Sequence, residues 1–165
     1  NKFGMCYTHK FNQYVGFISM LKSIIKEHGT FENIPTYNQE IHDSIVGIAT
    51  GTYVRFGTYG EPSLHPVKLI EDVTKVCTNW TGYTHQWHRN KELGKYFMAS
   101  THTPKQEEKA RSFGYRSFIA TKDKLGLYFN CPASKEAGYK SSCSKCGLCS
   151  GTEGKGKKSI YILNH

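Results

Sequence analysis

No run of about eighteen apolar residues occurs in the chain, so a helical membrane span is not expected. The opening residues carry no apolar stretch ending in a small-residue cleavage site. No export signal is expected from them, and the reading is of a cytoplasmic protein with no membrane partner. Acidic residues are scarce: 13 Asp and Glu stand against 22 Lys and Arg, a formal charge of +9. That balance fits nucleic acid or an acidic protein as partner, and equally a basic surface that only confers solubility. Cysteine is nearly absent outside one stretch, because only Cys6 and Cys77 of the six lie elsewhere. A secreted disulfide framework spreads its cysteines, so metal ligation in a reducing compartment is the better reading. No internal repeat is visible.

What is present is the composition of a globular chain: 38% hydrophobic and 13% aromatic residues over 165 positions, enough for one domain with a real core. Apolar residues from Phe11 to Ile25 recur at helical spacing and predict a helix over 10–28, closed by Gly29. Residues 30–44 read as a connection, and the branched and aromatic stretches 44–49 and 53–56 as strands. Pro66 predicts a helix start running to about Thr78, with Leu69, Ile70, Val73 and Val76 on one face. A strand near Tyr83, a short helix over 90–94 and a strand over 96–99 come next. Pro104 opens a helix ending at Gly114, and strands are expected over 116–120, 125–129 and 159–163. Strands alternating with helices predict an α/β fold with a mostly parallel sheet, open or curved into an incomplete (β/α) barrel. All of residues 1–165 are read as a single domain.

The segment 131–158 interrupts this pattern. It is rich in Gly, Ser and Lys, nearly free of apolar residues, and holds Cys131, Cys143, Cys146 and Cys149 in the order C-P-x10-C-x2-C-x2-C. So polar a stretch can hardly bury a core of its own, which makes it a metal-binding loop organised by its ligand. Four thiolates suit a [4Fe–4S] cluster or a tetrahedral zinc ion. The triplet Cys143, Cys146, Cys149 wraps three thiolates round one face of a cubane, and Cys131-Pro132 supplies the remote ligand. Bacterial ferredoxins use the same parts. A zinc ribbon instead pairs two C-x2-C knuckles, and Cys143–Gly147 could be one of them. The cluster reading assigns all four cysteines as cofactor ligands. Lys140 and Lys145 would raise its potential, and the amides of Ser144, Gly147 and Ser150 would donate to sulfur.

Two weaker signals carry bland alternatives. Gly151-Thr-Glu-Gly-Lys-Gly156-Lys157-Lys158 nearly matches a P-loop, but residues 160–163 beyond it read as a strand, so a basic loop fits better. His85, His88 and His102 surround Trp80, Tyr83 and Trp87 and could form a metal or acid–base site; packing is the plainer role. Cys77 reads as a small buried hydrophobe.

Two resemblances bear on function. The stretch Val54-Arg-Phe-Gly-Thr-Tyr-Gly-Glu-Pro-Ser-Leu-His-Pro66 resembles the Gly-Gly-Glu-Pro segment of radical S-adenosylmethionine enzymes, with Tyr59 in place of the first Gly. The resemblance implies that Glu61 meets the amino group of the methionine moiety. That family's C-x3-C-x2-C motif is absent: Cys6-Tyr7 stands near its place, with Phe3 where the preceding cysteine would be. Classical radical chemistry is therefore not expected, and no catalytic residue is assigned. The implied object is a degenerate scaffold that kept a C-terminal cluster. Residues 45–165 also resemble the phage-encoded gene-product-eighty-eight family, through Cys131-Pro132 and Cys143-Ser-Lys-Cys146-Gly-Leu-Cys149. This implies a viral protein acting in the cytoplasm of a bacterial host.

Three functions result as expectations. The first is a [4Fe–4S] protein of electron transfer or redox sensing, whose basic surface docks an acidic redox partner or nucleic acid. The second is a zinc-stabilised nucleic-acid-binding or interaction module. The third is a radical-type enzyme whose catalytic cluster is missing or supplied from elsewhere.

Overall fold

The computed structural model describes residues 11–163. The chain divides into a first unit running to Ile41 and a second from His42 onward. In the first, α1 (Phe11–His28) realises the expected helix. It ends where the Gly29 amide donates to the Ile25 carbonyl at 2.7 Å. Lys26 and His28 in its last turn favour the negative end of the helix dipole. A 3-10 turn, Phe31–Asn33, comes next.

α2 (Gln39–Ala49) overturns the strand expected over 44–49. The branched residues Ile45, Val46 and Ile48 suggested β structure, but the buried face is made by His42, Val46 and Ala49, at helical spacing. Asn38 Oδ1 accepts the Ile41 amide at 2.9 Å and so caps the helix start. Ile48 itself stays 75% exposed.

The second unit is built on six strands: β1 (Tyr53–Phe56), β2 (Asn79–Thr84), β3 (Met98–Thr101), β4 (Ser117–Thr121), β5 (Phe129–Asn130) and β6 (Ile160–Leu163). They form an open sheet in the order β1-β2-β3-β4-β6-β5, and every pairing is parallel. The α/β class is thus as expected, in its open form. β5 is shorter than the strand expected over 125–129, because the Tyr128 amide turns back to the Leu125 carbonyl. α3 (Val67–Val76) begins directly after Pro66, and α4 (Pro104–Ser112) starts at its proline, with Thr103 Oγ1 accepting the Gln106 amide at 3.2 Å. The helix expected over 90–94 is a 3-10 turn, Glu92–Lys95.

Successive strands β1 to β4 step in one direction across the sheet. Right-handed crossovers then put their connecting helices on one face. That face carries the main core: Phe56, Leu69, Ile70, Val73, Leu93, Phe97, Ala99 and Ala110. The other face carries a second cluster: Met98, Cys131, Cys149 and Ile160, packed with Tyr83, Phe118, Leu148 and Ile162. The alternation of strand side chains separates the two, as at Met98 and Ala99. The cysteine segment therefore covers the sheet face that the helices leave open. Among the described residues no helix is long and apolar enough to cross a membrane.

The helix-side core is tightly filled over β2. A Cβ on Gly82 would lie 2.5 Å from Phe97 Cδ1 and 3.3 Å from Phe56 Cβ. Gly82→Ala should destabilise the fold by about 1–3 kcal/mol through overpacking, read as a lower urea midpoint with unchanged slope. An unchanged midpoint would mean that the core is looser than described.

Candidate metal centre

Each cysteine is held by a different local device. Cys131 comes directly after β5, and its amide donates to the Tyr161 carbonyl at 2.9 Å. Pro132 then turns the chain, so that the Ser134 amide and hydroxyl both return to the Cys131 carbonyl, at 3.0 and 2.9 Å. Cys143 and Cys146 begin and end a single helical turn, α5 (Cys143–Cys146). Ser142 caps that turn by accepting the Lys145 amide, and Gly147 closes it at φ 62, a left-handed conformation that glycine adopts freely. Cys149 sits at the sheet itself: its carbonyl accepts the Gly82 amide of β2 at 3.0 Å.

The fold places Cys131 and Cys149 in one buried cluster, and Cys143 and Cys146 on the turn that leads to Cys149. Burial pushes the Cys149 thiol up to about 12; the nearby Tyr83 hydroxyl pulls the other way, and Cys131, Cys143 and Cys146 add to the rise. Burial likewise raises Cys131, the backbone at Ala133 and Ser134 opposes the rise, and Cys143 and Cys146 add to it. Burial disfavours the ionised form of Cys131 and Cys149, so thiolates at these two positions would need a cation beside them. Four thiols on one segment are a donor set whose chemistry fits an iron–sulfur cluster. Among the described residues no group of three or more His, Cys, Asp or Glu is placed to hold a single metal ion. The Gly147 amide, expected to donate to sulfur, bonds the Cys143 carbonyl instead, at 2.9 Å.

Spacing gave no hint of Arg116, which fastens the segment. Its guanidinium donates from Nε and Nη2 to the Lys158 carbonyl, from Nη1 to Gly151 and from Nη2 to Leu148, at 2.6–3.1 Å. Three carbonyls of the cysteine segment thus converge on one side chain, itself only 8% exposed. Gly156 makes room for it, since a Cβ there would lie 2.3 Å from Arg116 Nη2. Burial works against the charge on Arg116, and the nearby Cys149 sulfur, as thiolate, favours it. On β1, Tyr53 and Arg55 alternate with the core residues Val54 and Phe56 and so share the cysteine face. Tyr53 shares a 2.6 Å hydrogen bond with Thr81. Burial raises both Tyr53 and Tyr83, the cysteines add to the rise, and Arg55 opposes it.

Beside the thiols lies a cavity of about 410 Å³ lined by Lys135, Lys140, Lys145, Tyr139, Ser141 and Ser142, among others. Three exposed ammonium groups thus stand next to the cysteine turn, including the two lysines expected there. No family model, curated protein or solved structure matches the chain.

The remaining candidates separate. His88 stacks edge-on to Trp87, with ring centroids 5.6 Å apart, and His85 Nδ1 lies 3.7 Å from Glu61 Oε2. His102 uses its backbone amide to reach Gln106 Oε1 at 2.8 Å. Residues 151–158 lead into β6 and not into a helix, so they lack the geometry of a P-loop. Cys77 is half-buried at the end of α3, its thiol facing the Thr74 carbonyl. Phe3 and Cys6 lie outside the described residues.

Glu61 is engaged within the chain. Its Oε1 accepts the Ser63 amide at 3.2 Å and its Oε2 the His85 amide at 3.0 Å, tying the turn after β1 to the end of β2. Burial works to raise its pKa, but bonds from His85, Thr84 and the two amides outweigh it and hold the carboxyl at about 2, from an ordinary 4.5. A depressed pKa contributes stability fully above pH 4.5, lost as pH falls toward 2. Glu61→Gln places an amide N–H2 against one of these donors and should cost about 1–3 kcal/mol at pH 7. Urea unfolding should show the gap to wild type narrowing between pH 4.5 and 2. A gap independent of pH would deny the carboxylate this role.

Proposed function

We propose that the chain binds one [4Fe–4S] cluster through Cys131, Cys143, Cys146 and Cys149 and serves in electron transfer or redox sensing. The observation that carries this reading is that Cys131 and Cys149, from the two ends of the cysteine pattern, share one buried cluster on the open sheet face. The C-x2-C-x2-C run with a remote Cys-Pro agrees with it. When bound, the cluster supplies a one-electron couple. The chain's residues do the rest: the sheet excludes water from Cys131 and Cys149, which are 8% and 7% exposed. Cys143 and Cys146 are less buried, so the centre is nearest to solvent at α5. There Lys135, Lys140 and Lys145 suit an acidic redox partner, as the net charge of +9 does.

The resemblance to the gene-product-eighty-eight family supports a role in the cytoplasm of a phage-infected bacterium. The radical-type reading is weaker, because both oxygens of Glu61 already accept backbone amides.

Zinc has one observation in its favour. α5 is a one-turn knuckle closed by left-handed Gly147, a form that also suits a zinc site. A zinc-stabilised binding module would keep the same ligands without redox chemistry.

Anaerobically purified protein should be brown and carry about four irons per chain, with matching sulfide. Cys146→Ser should lose most of that iron and loosen residues 131–158 to proteolysis, while residues 53–121 stay protected. Full iron content in Cys146→Ser would overturn the ligand set. Colourless protein with one zinc per chain would establish the second reading.

A further inference from the structure

Two cations on the cysteine face have no acidic partner. Arg116 makes four hydrogen bonds, all to carbonyl oxygens. Among the described residues no Asp or Glu lies within ion-pair distance of it, nor of Arg55. A buried guanidinium without an anion is costly, and carbonyl dipoles offset only part of that cost. The group beside it that can become anionic is the cysteine set. Four thiolates outweigh the charge of zinc or of a [4Fe–4S] core, so the loaded centre is a net anion. Arg116 would approach that anion from the segment's own carbonyl cage, and Arg55 from β1 beside Tyr53 and Tyr83.

We propose that Arg116 and Arg55 are the counter-charges of the cysteine centre: they hold an anionic metal–thiolate group in place and raise its affinity for an electron. The inference rests on the four-cysteine ligand set proposed above. Adding an electron increases the negative charge of the group, so a fixed cation nearby favours the reduced form and a higher potential. Arg116 acts with little solvent screening, unlike Lys135, Lys140 and Lys145, which are exposed. It is a positioning residue as well, because the same guanidinium fixes the Leu148 carbonyl directly before Cys149.

The test uses the full chain as isolated anaerobically, in wild type, Arg55→Gln, Arg55→Lys and Arg116→Gln. Arg55 is exposed and, among the described residues, makes no hydrogen bond through its guanidinium, so its variants should fold as wild type does. Two readouts apply: the reduction midpoint from a paramagnetic-resonance titration, and the rate of metal loss to a chelator. Arg55→Gln should shift the midpoint to more negative potential and speed metal loss several-fold, and Arg55→Lys, which keeps the charge, should restore both. Arg116→Gln should change both further in the same direction, with the added loss of its carbonyl clamp. If metal-loaded Arg55→Gln matched wild type in potential and in metal loss, the counter-charge inference would fall while the ligand set stood. Wild type isolated without metal would overturn the ligand set and this inference with it.

Discussion

A parallel sheet leaves neither face to water, and everything distinctive about this chain stems from how its second face is covered. The first face is covered in the ordinary way, by helices whose Leu69, Ile70, Val73 and Ala110 meet Phe56, Phe97 and Ala99. The second receives a polar segment that brings only Ala133, Leu148 and two cysteines to the contact. Hydrophobic burial on that scale cannot order a stretch of this length against its conformational entropy. The segment is fastened by directional bonds: the Cys149 carbonyl on the Gly82 amide, and the fork of Arg116 on Leu148, Gly151 and Lys158. A ligand shared by four thiols would supply the cross-link that hydrophobic contact does not.

The same bonds set the chemistry. They seat Cys149 against Tyr83 and bring it into the field of Cys131, Cys143 and Cys146. Burial raises the Cys131 and Cys149 thiols, so a metal binding there would displace protons. The sheet thus offers a dry floor, while the cavity beside α5 is lined by the exposed Lys135, Lys140 and Lys145.

The alternation of elements was legible from sequence because its signals were local: proline ahead of α3 and α4, glycine after α1, branched residues in β1 and β6. Residues 44–49 misled because a helix whose buried face is only His42, Val46 and Ala49 leaves its branched residues outside. There composition spoke for strand, and the tertiary contact decided for helix. The candidate ligands were legible from spacing alone. Their setting was not: Arg116, Tyr83 and Arg55 lie between 15 and 94 residues from Cys131 or Cys149 and reach the site through strand order, which no spacing encodes. Glu61 stood out in sequence beside a proline turn, and its partners Ser63 and His85 show a carboxylate that ties two strand ends.

The central claim, one iron–sulfur cluster on four cysteines, is tested most directly by X-ray absorption at the iron and zinc edges of the anaerobically isolated chain. The account predicts iron surrounded only by sulfur, with a second shell of iron at cubane spacing and no zinc signal. Zinc with four sulfur neighbours, or neither metal at all, would contradict it.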